Sequence, residues 1–273
     1  MPNPSRKAYV DTTIIADALL KPGNPKSTAA RSALKRYEQT FLPVYAIKEW
    51  KAGIVKNYAY FHEKLVQTKS LTRTIQIINS LPEQYWRYRK STSLEALASA
   101  VHLAARTRRR DTPPAANEDR ELADRYRLAI ASLLIRRWRE RRSLTTETIQ
   151  DLDCYTESPP VLDESGVFNL SPVDCDSETE CCLANDLRSK PELLRKMADA
   201  IPAASTRRED VQRRQVLRDL GRSKHFQLTP ERCRALGDAV FAFFSPSDCV
   251  VLTTNLRDHL PLVTAIGKTA ETP

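Results

Sequence analysis

LGDAVFAFFSPSDCVVLTTNLRDHLPL, residues 236–262, is the stretch whose reading decides the fold. Its first part is an apolar helix carrying one carboxylate, Asp238. A short turn follows, and CVVLTT then reads as a strand because it is apolar and β-branched. Polar groups appear as soon as that strand ends: Thr253, Thr254, Asn255 and Asp258. A buried strand that releases hydroxyl, amide and carboxylate groups at its C-terminal edge is where α/β folds place their sites. A second stretch, AYVDTTIIADALL at residues 8–20, repeats the pattern: a short apolar strand ends in Asp11, followed by Thr12 and Thr13.

Working outward, TFLPVYAIKEW predicts a strand over 41–45 and then a helix carrying Glu49 near its start. Ile47, Trp50, Ile54 and Tyr58 recur at helical spacing, and Glu49 lies off that stripe. From about residue 70 to 228 the periodicity is mainly helical. Residues 151–186 interrupt it with Pro, Gly, Ser and acids, and read as a long loop. LTPERCRALGDAVFAFF begins with Thr229 as an N-cap and Pro230 in the first turn. The chain therefore divides into a first core part (6–64), a basic helical insertion (65–228) and a second core part (229–268). The predicted fold class is α/β with a central parallel sheet holding strands near 8–11, 41–45 and 249–254.

The 273 residues carry a formal charge of +9, unevenly distributed. Residues 151–186 hold ten acids and no Lys or Arg, whereas residues 187–234 hold thirteen Lys or Arg against six acids. Basic surface of this extent points to a polyanion partner, most often nucleic acid. The arginine clusters RTRRR (Arg108 and Arg109 among them) and RRWRERR (Arg136 and Arg137) are candidate phosphate contacts. So are Arg213 and Arg214 in the later basic helix. Each cluster also reads as a solvated helix face, with Trp138 in a core.

No run of about twenty apolar residues predicts a membrane span. The N-terminus enters a strand without an apolar leader, so a cytoplasmic location is expected. Six cysteines lack metal-ligand spacing and read as reduced thiols. Only six glycines are present and none forms a phosphate-cradling loop, which argues against a nucleotide-driven ATPase.

The acids at strand ends and helix starts are Asp11, Glu49, Asp238, and Asp258 beside Asn255. Each alone reads as a helix cap or a surface charge. Together, at one edge of a parallel sheet, they would repel strongly without a cation. Oxygen-only ligation suits Mg2+ or Mn2+. His259, next to Asp258, reads as a surface histidine.

In their order, AYVDTTII, the Glu of YAIKEW, LGDAVFAFF and VVLTTNLRDH resemble the PIN-domain nuclease family. The resemblance covers about residues 6–60 and 229–266. It implies a three-layer α/β/α fold and a metal-dependent nuclease, most often a ribonuclease, leaving 5′-phosphate and 3′-hydroxyl ends. By that resemblance Asp11, Glu49 and Asp238 would be catalytic metal ligands, with Thr12 or Thr13 supporting the first of them. Asn255 and Asp258 both fall at the fourth position, where Asp258 is the better carboxylate, and Thr253 lies beside them. RNA is the expected partner. A protein that inhibits or assembles the nuclease, and self-association, are compatible with it. The alternative is a PIN-like module that binds nucleic acid or protein without catalysis. The long basic insertion departs from the minimal family pattern and leaves the substrate open.

Overall fold

Residues 6–20, 23–82, 118–171 and 181–273 are described by the structure, a computed structural model. In chain order its elements are β1 (Lys7–Val10), α1 (Thr12–Ala18), α2 (Pro25–Leu34), β2 (Gln39–Pro43), α3 (Val44–Trp50) and a π-helical turn (Lys51–Val55). They continue with α4 (Lys56–Thr68), α5 (Leu71–Asn79), α6 (Glu118–Glu140), β3 (Glu147–Ile149), β4 (Val161–Leu162) and β5 (Phe168–Asn169). The rest are α7 (Cys182–Arg188), α8 (Pro191–Ala200), α9 (Arg208–Arg222), α10 (Pro230–Leu236), α11 (Asp238–Phe244), β6 (Cys249–Leu252), α12 (Leu256–Ala265) and β7 (Thr269–Glu271). Two units emerge among the described residues: those within 1–49, 142–157 and 174–273 form the first, and those within 50–141 and 158–173 the second.

The first unit is built on a five-stranded sheet in the order β3-β2-β1-β6-β7. Every pairing in it is parallel, with Tyr9 opposite Phe41 on one side and Val251 on the other. Helices flank the sheet, giving the expected three-layer α/β/α architecture. The middle strands are short apolar runs because a parallel sheet covered by helices is buried on both faces. Ala8, Tyr9, Val10, Leu42, Val251 and Leu252 are accordingly all buried. The chain runs from β1 outward through β2 to β3, then returns to the other side of β1 as β6. The order thus reverses between β1 and β6, and a crevice at the carboxyl ends of such a pair is the natural ligand position.

Several sequence-based boundaries shift. The second strand ends at Pro43, so Tyr45 is helical. The helix predicted across 230–244 is two helices, broken at Gly237, whose φ of +38° is a left-handed value that suits glycine. Asp238 thereby becomes the first residue of a new helix. The helices α7, α8 and α9, read as part of the insertion, belong to the same unit as the sheet.

The second unit holds α4, α5, α6 and a β4–β5 antiparallel hairpin that lies within the stretch predicted as loop. Trp50 and Trp138 stack at 5.6 Å between centroids and 16° between planes. Tyr58, Phe61, Leu65, Ile130 and Leu134 complete this core. His62 is buried against Phe168, and burial, aided by the charge of Arg127, lowers its pKa to about 4.

Candidate active site

Asp11 follows directly on β1, and its backbone N–H continues the ladder by donating to Leu252 O at 3.0 Å. It sits at the N-cap position of α1 with extended φ and ψ, yet its side chain makes no capping bond. The carboxylate is spent elsewhere: Oδ2 accepts from Thr13 Oγ1 at 2.6 Å and from Thr253 Oγ1 at 2.7 Å. Thr253 is fully buried at the end of β6, so two strand ends are tied through one carboxylate oxygen. Thr13 Oγ1 in turn accepts from Thr254 N–H at 3.1 Å.

The adjacent hydroxyl does a different job. Thr12 Oγ1 donates to Glu49 Oε2 at 2.7 Å, joining α1 to α3. The open choice between Thr12 and Thr13 is thus divided, with Thr13 supporting Asp11 and Thr12 supporting Glu49. Glu49 is mostly buried, and among the described residues no Lys, Arg or His pairs with it. Burial, and then the charges of Asp11 and Asp238, push its pKa from 4.5 up to about 7. The Thr12 and Tyr45 hydroxyls oppose that shift.

Asp238 stands at the start of α11. His259 Nε2 lies 3.0 Å from Asp238 Oδ1 and 3.5 Å from Asp11 Oδ2. The imidazole is completely buried, and it acts on the two carboxylates first as a hydrogen-bonding partner and then as a charge. Burial disfavours that charge, but the two carboxylates outweigh it and raise the His259 pKa to about 10. Asp11 responds in the opposite sense. Burial would raise its pKa, while His259, Thr13 and Thr253 together hold it below the usual value. The expectation of a surface histidine at 259 is therefore corrected: α12 turns the residue inward, onto Phe241 at 5.6 Å and onto the acids.

Two arginines supply further compensation. Arg213 Nη2, on α9, is 2.6 Å from Asp238 Oδ2. Arg207, just before α9, grips Asp258 with both terminal nitrogens at 2.6 and 3.1 Å. Arg207 holds the Asp258 carboxyl down at about 2. Asn255 Nδ2 donates to Asp258 Oδ2 at 3.1 Å, so both candidates for the fourth position belong to one local network. The structure thus brings Asp11 and Asp238 to His259, and both close enough for their charges to act on Glu49, while Asp258 faces Arg207.

The repulsion expected among these acids is largely cancelled by His259, Arg213 and Arg207. Among the described residues no group of three or more His, Cys, Asp or Glu side chains is arranged to hold a metal ion. Asp11, Glu49 and Asp238 offer only oxygen, and Glu49 is the carboxylate whose burial leaves its charge uncompensated.

The candidate nucleic-acid contacts divide. Arg108 and Arg109 lie outside the described residues. Arg136 is exposed on α6. Arg137 is buried and donates to the Tyr58 hydroxyl, and Trp138 is a core residue. Arg213 is buried on Asp238, and Arg214 Nη1 donates to Pro202 O at 2.6 Å. Arg137 and Arg213 thus face protein groups, which the sequence clusters alone did not reveal.

Cys233 and Cys249 are buried, and Cys154, Cys181 and Cys182 are partly exposed. Among the described residues no helix is long and apolar enough to cross a membrane. The sequence marks Arg207 only as the start of the basic stretch 207–225, with nothing to pair it with Asp258, and marks His259 only by its place beside Asp258. A scan of family models, a search of curated proteins and a search of solved structures each find no match for this chain.

Proposed function

We propose that this chain is a metal-dependent nuclease of the PIN-domain type, hydrolysing phosphodiester bonds, with RNA as the substrate and Mg2+ or Mn2+ as the cofactor. The observation that carries the reading is the meeting of Asp11, Glu49 and Asp238 at the β1/β6 switch point, with Glu49 left near neutral pKa. A divalent ion held by these three carboxylates would neutralise phosphate charge and lower the proton affinity of a water. Glu49 is the group suited to take the proton of the attacking water. In the metal-free protein its pKa is about 7, and a cation bound beside it would lower that value. Both oxygens of Asp238 are already engaged, one by His259 and one by Arg213, which leaves that role to Glu49. Asp11, fixed by Thr13 and Thr253, anchors the site. The exposed Arg136 and the basic helix α9 would attract the polyanion from solution.

One observation favours a second reading, a PIN-like module that binds nucleic acid without cleaving it. Three cations already neutralise much of the acidic cluster, so the cluster can persist in the fold with no metal. One experiment separates the readings. Purified protein is incubated with labelled single-stranded RNA, structured RNA and DNA, with Mg2+ or Mn2+ and with a chelator. Metal-dependent cleavage is the expected result, and Asp11→Asn should lower it by at least about 100-fold, since second-shell changes alone cost that order. RNA binding without cleavage, unaffected by metal or by Asp11→Asn, would establish the binding module instead.

A further inference from the structure

We infer that Asp258 and Arg207 are positioning residues for Asp11: the guanidinium holds the Asp258 carboxylate, which holds Asn255, whose backbone N–H turns the Thr253 hydroxyl onto the Asp11 carboxylate. The reaction that Asp11 serves rests on the nuclease reading above, whereas the frame that aims it consists of hydrogen bonds within the protein. Asp258 thereby moves from the reacting groups to the frame behind them, and Arg207 joins it there.

The hydrogen bonds run without a break from one end to the other. Arg207 donates to Asp258 through both terminal nitrogens, at 2.6 and 3.1 Å, and this planar fork fixes the plane of the carboxylate. Asn255 Nδ2 donates to Asp258 Oδ2 at 3.1 Å. The Asn255 backbone N–H donates to Thr253 Oγ1 at 2.9 Å, and Thr253 Oγ1 donates to Asp11 Oδ2 at 2.7 Å. A threonine hydroxyl has one proton, so a Thr253 oxygen that accepts from Asn255 keeps that proton for Asp11. Thr253 is fully buried, and these two neighbours set the direction of its hydroxyl.

Local helix chemistry alone would route these bonds differently. Asn255 is the N-cap of α12, and Asp258 is the third residue of that helix. In a capping box the N-cap side chain accepts from the backbone N–H of the third residue, whose side chain in turn accepts from the N-cap backbone N–H. Here the Asn255 side chain makes no capping bond, and its backbone N–H goes to Thr253. Arg207 supplies the reason: it takes both Asp258 oxygens, and the carboxylate so held meets Asn255 through the side-chain amide. At the far end, the Thr13, Thr253 and His259 contacts of Asp11 all fall on Oδ2, which leaves Oδ1 uncommitted among the described residues. The frame thus fixes one oxygen of Asp11 and presents the other.

The test uses the full chain, with Arg207→Gln and Asp258→Asn as variants. Hydrogen exchange of the Asn255 and Val251 amides is followed by NMR in chelator. Each variant should speed exchange at Asn255 by at least about tenfold, the effect of losing one charge-assisted bond, and leave Val251 on β6 unchanged. Exchange rising equally at both amides would make the pair a plain structural fastener, and exchange unchanged at Asn255 would break the chain of bonds. Either result overturns the inference. The Arg207 side chain is 32% exposed, so Arg207→Gln decides the matter if Asp258→Asn does not fold. RNA cleavage by the same proteins is the second readout. There kcat should fall by at least about tenfold with KM held within about twofold, because a misaimed Asp11 harms the reaction and spares substrate binding. A raised KM with kcat intact would make Arg207 a phosphate contact and overturns the inference as well. The two ideas fail separately. Selective release of Asn255 in the variants of a parent that cleaves no RNA spares the frame and overturns the nuclease reading. Cleavage by a parent whose variants release nothing spares the nuclease reading and overturns the frame.

Discussion

Each of the two units buries a charged cluster, and the two clusters are stabilised by different means. In the sheet-bearing unit the buried groups are carboxylates, and each of Asp11, Asp238 and Asp258 faces a cationic side chain. In the helical unit the buried groups are cations, and they lie on aromatic faces. The Arg141 guanidinium stands 4.1 Å from the centroid of Trp138, and Lys51 Nζ stands 5.7 Å from the same ring. Lys51 also donates to Ser158 O at 3.0 Å and to Ser158 Oγ at 2.8 Å. Aromatic faces contribute to holding a cation through the ring quadrupole. A carboxylate left out of the ion pairing, as Glu49 is, keeps a pKa near neutrality. The first arrangement is suited to chemistry and the second to holding helices together.

The most damaging substitution should therefore fall in the helical unit. Trp138→Ala removes the ring beneath Arg141 and Lys51 and the stacking partner of Trp50. A loss of about 3–5 kcal/mol in unfolding free energy is expected from the cavity. Chemical denaturation measures it, and a change below about 1 kcal/mol would mean that the aromatic face is not what holds those cations.

Glu49→Gln sharpens the other half of the contrast. The folded Glu49 has its pKa raised from 4.5 to about 7, so the folded protein binds an extra proton between those values. Its stability contribution is complete below pH 4.5 and is lost as pH rises through 7. In metal-free protein the parent should therefore lose stability across this window relative to Glu49→Gln. The difference at pH 8 should be on the order of 3 kcal/mol in favour of the variant. Unfolding curves of both proteins at pH 5 and pH 8, in chelator, give the comparison. Parallel behaviour would mean that Glu49 is compensated after all.

The smallest of the three effects is at Gly237. Gly237→Ala places a side chain at φ +38°, at a cost of about 1–2 kcal/mol. The new Cβ would lie 3.5 Å from Arg234 O and 3.8 Å from Arg213 Nη2, both ordinary contacts, so the cost lies in the backbone. Because Gly237 ends α10 and aims Asp238, the variant should also weaken metal-dependent cleavage. A variant as stable as the parent would show that the break between the two helices is not strained.

The core of the first unit was readable because its signals are local. AYV and CVVL are apolar, β-branched or aromatic runs that fit a doubly covered parallel strand. The residue after each is polar because the strand ends there. Asp11, Glu49 and Asp238 could be picked out for the same reason, each standing against an apolar background. The edge strands β3 and β7 were not read, being three residues each with little apolar content. They are strands because β2 and β6 offer them backbone partners. Asp151 was likewise passed over. It accepts from Tyr9 Oη and Tyr45 N–H at 3.0 Å each, and so fixes the start of α3 from 106 residues away.

By itself, then, the sequence determined the fold class, the central strands and the acids at their ends, because short windows of side-chain type dictate strand, helix and cap. Tertiary structure decided the charge state of the site. Arg207 meets Asp258 across 51 residues, and Thr253 meets Asp11 across 242. His259 becomes a buried cation only because α12 packs its inner face against Phe241 and the two carboxylates. Desolvation and Coulomb attraction act through space, so the proton affinities of Glu49 and His259 existed nowhere in the chain until folding brought these groups together.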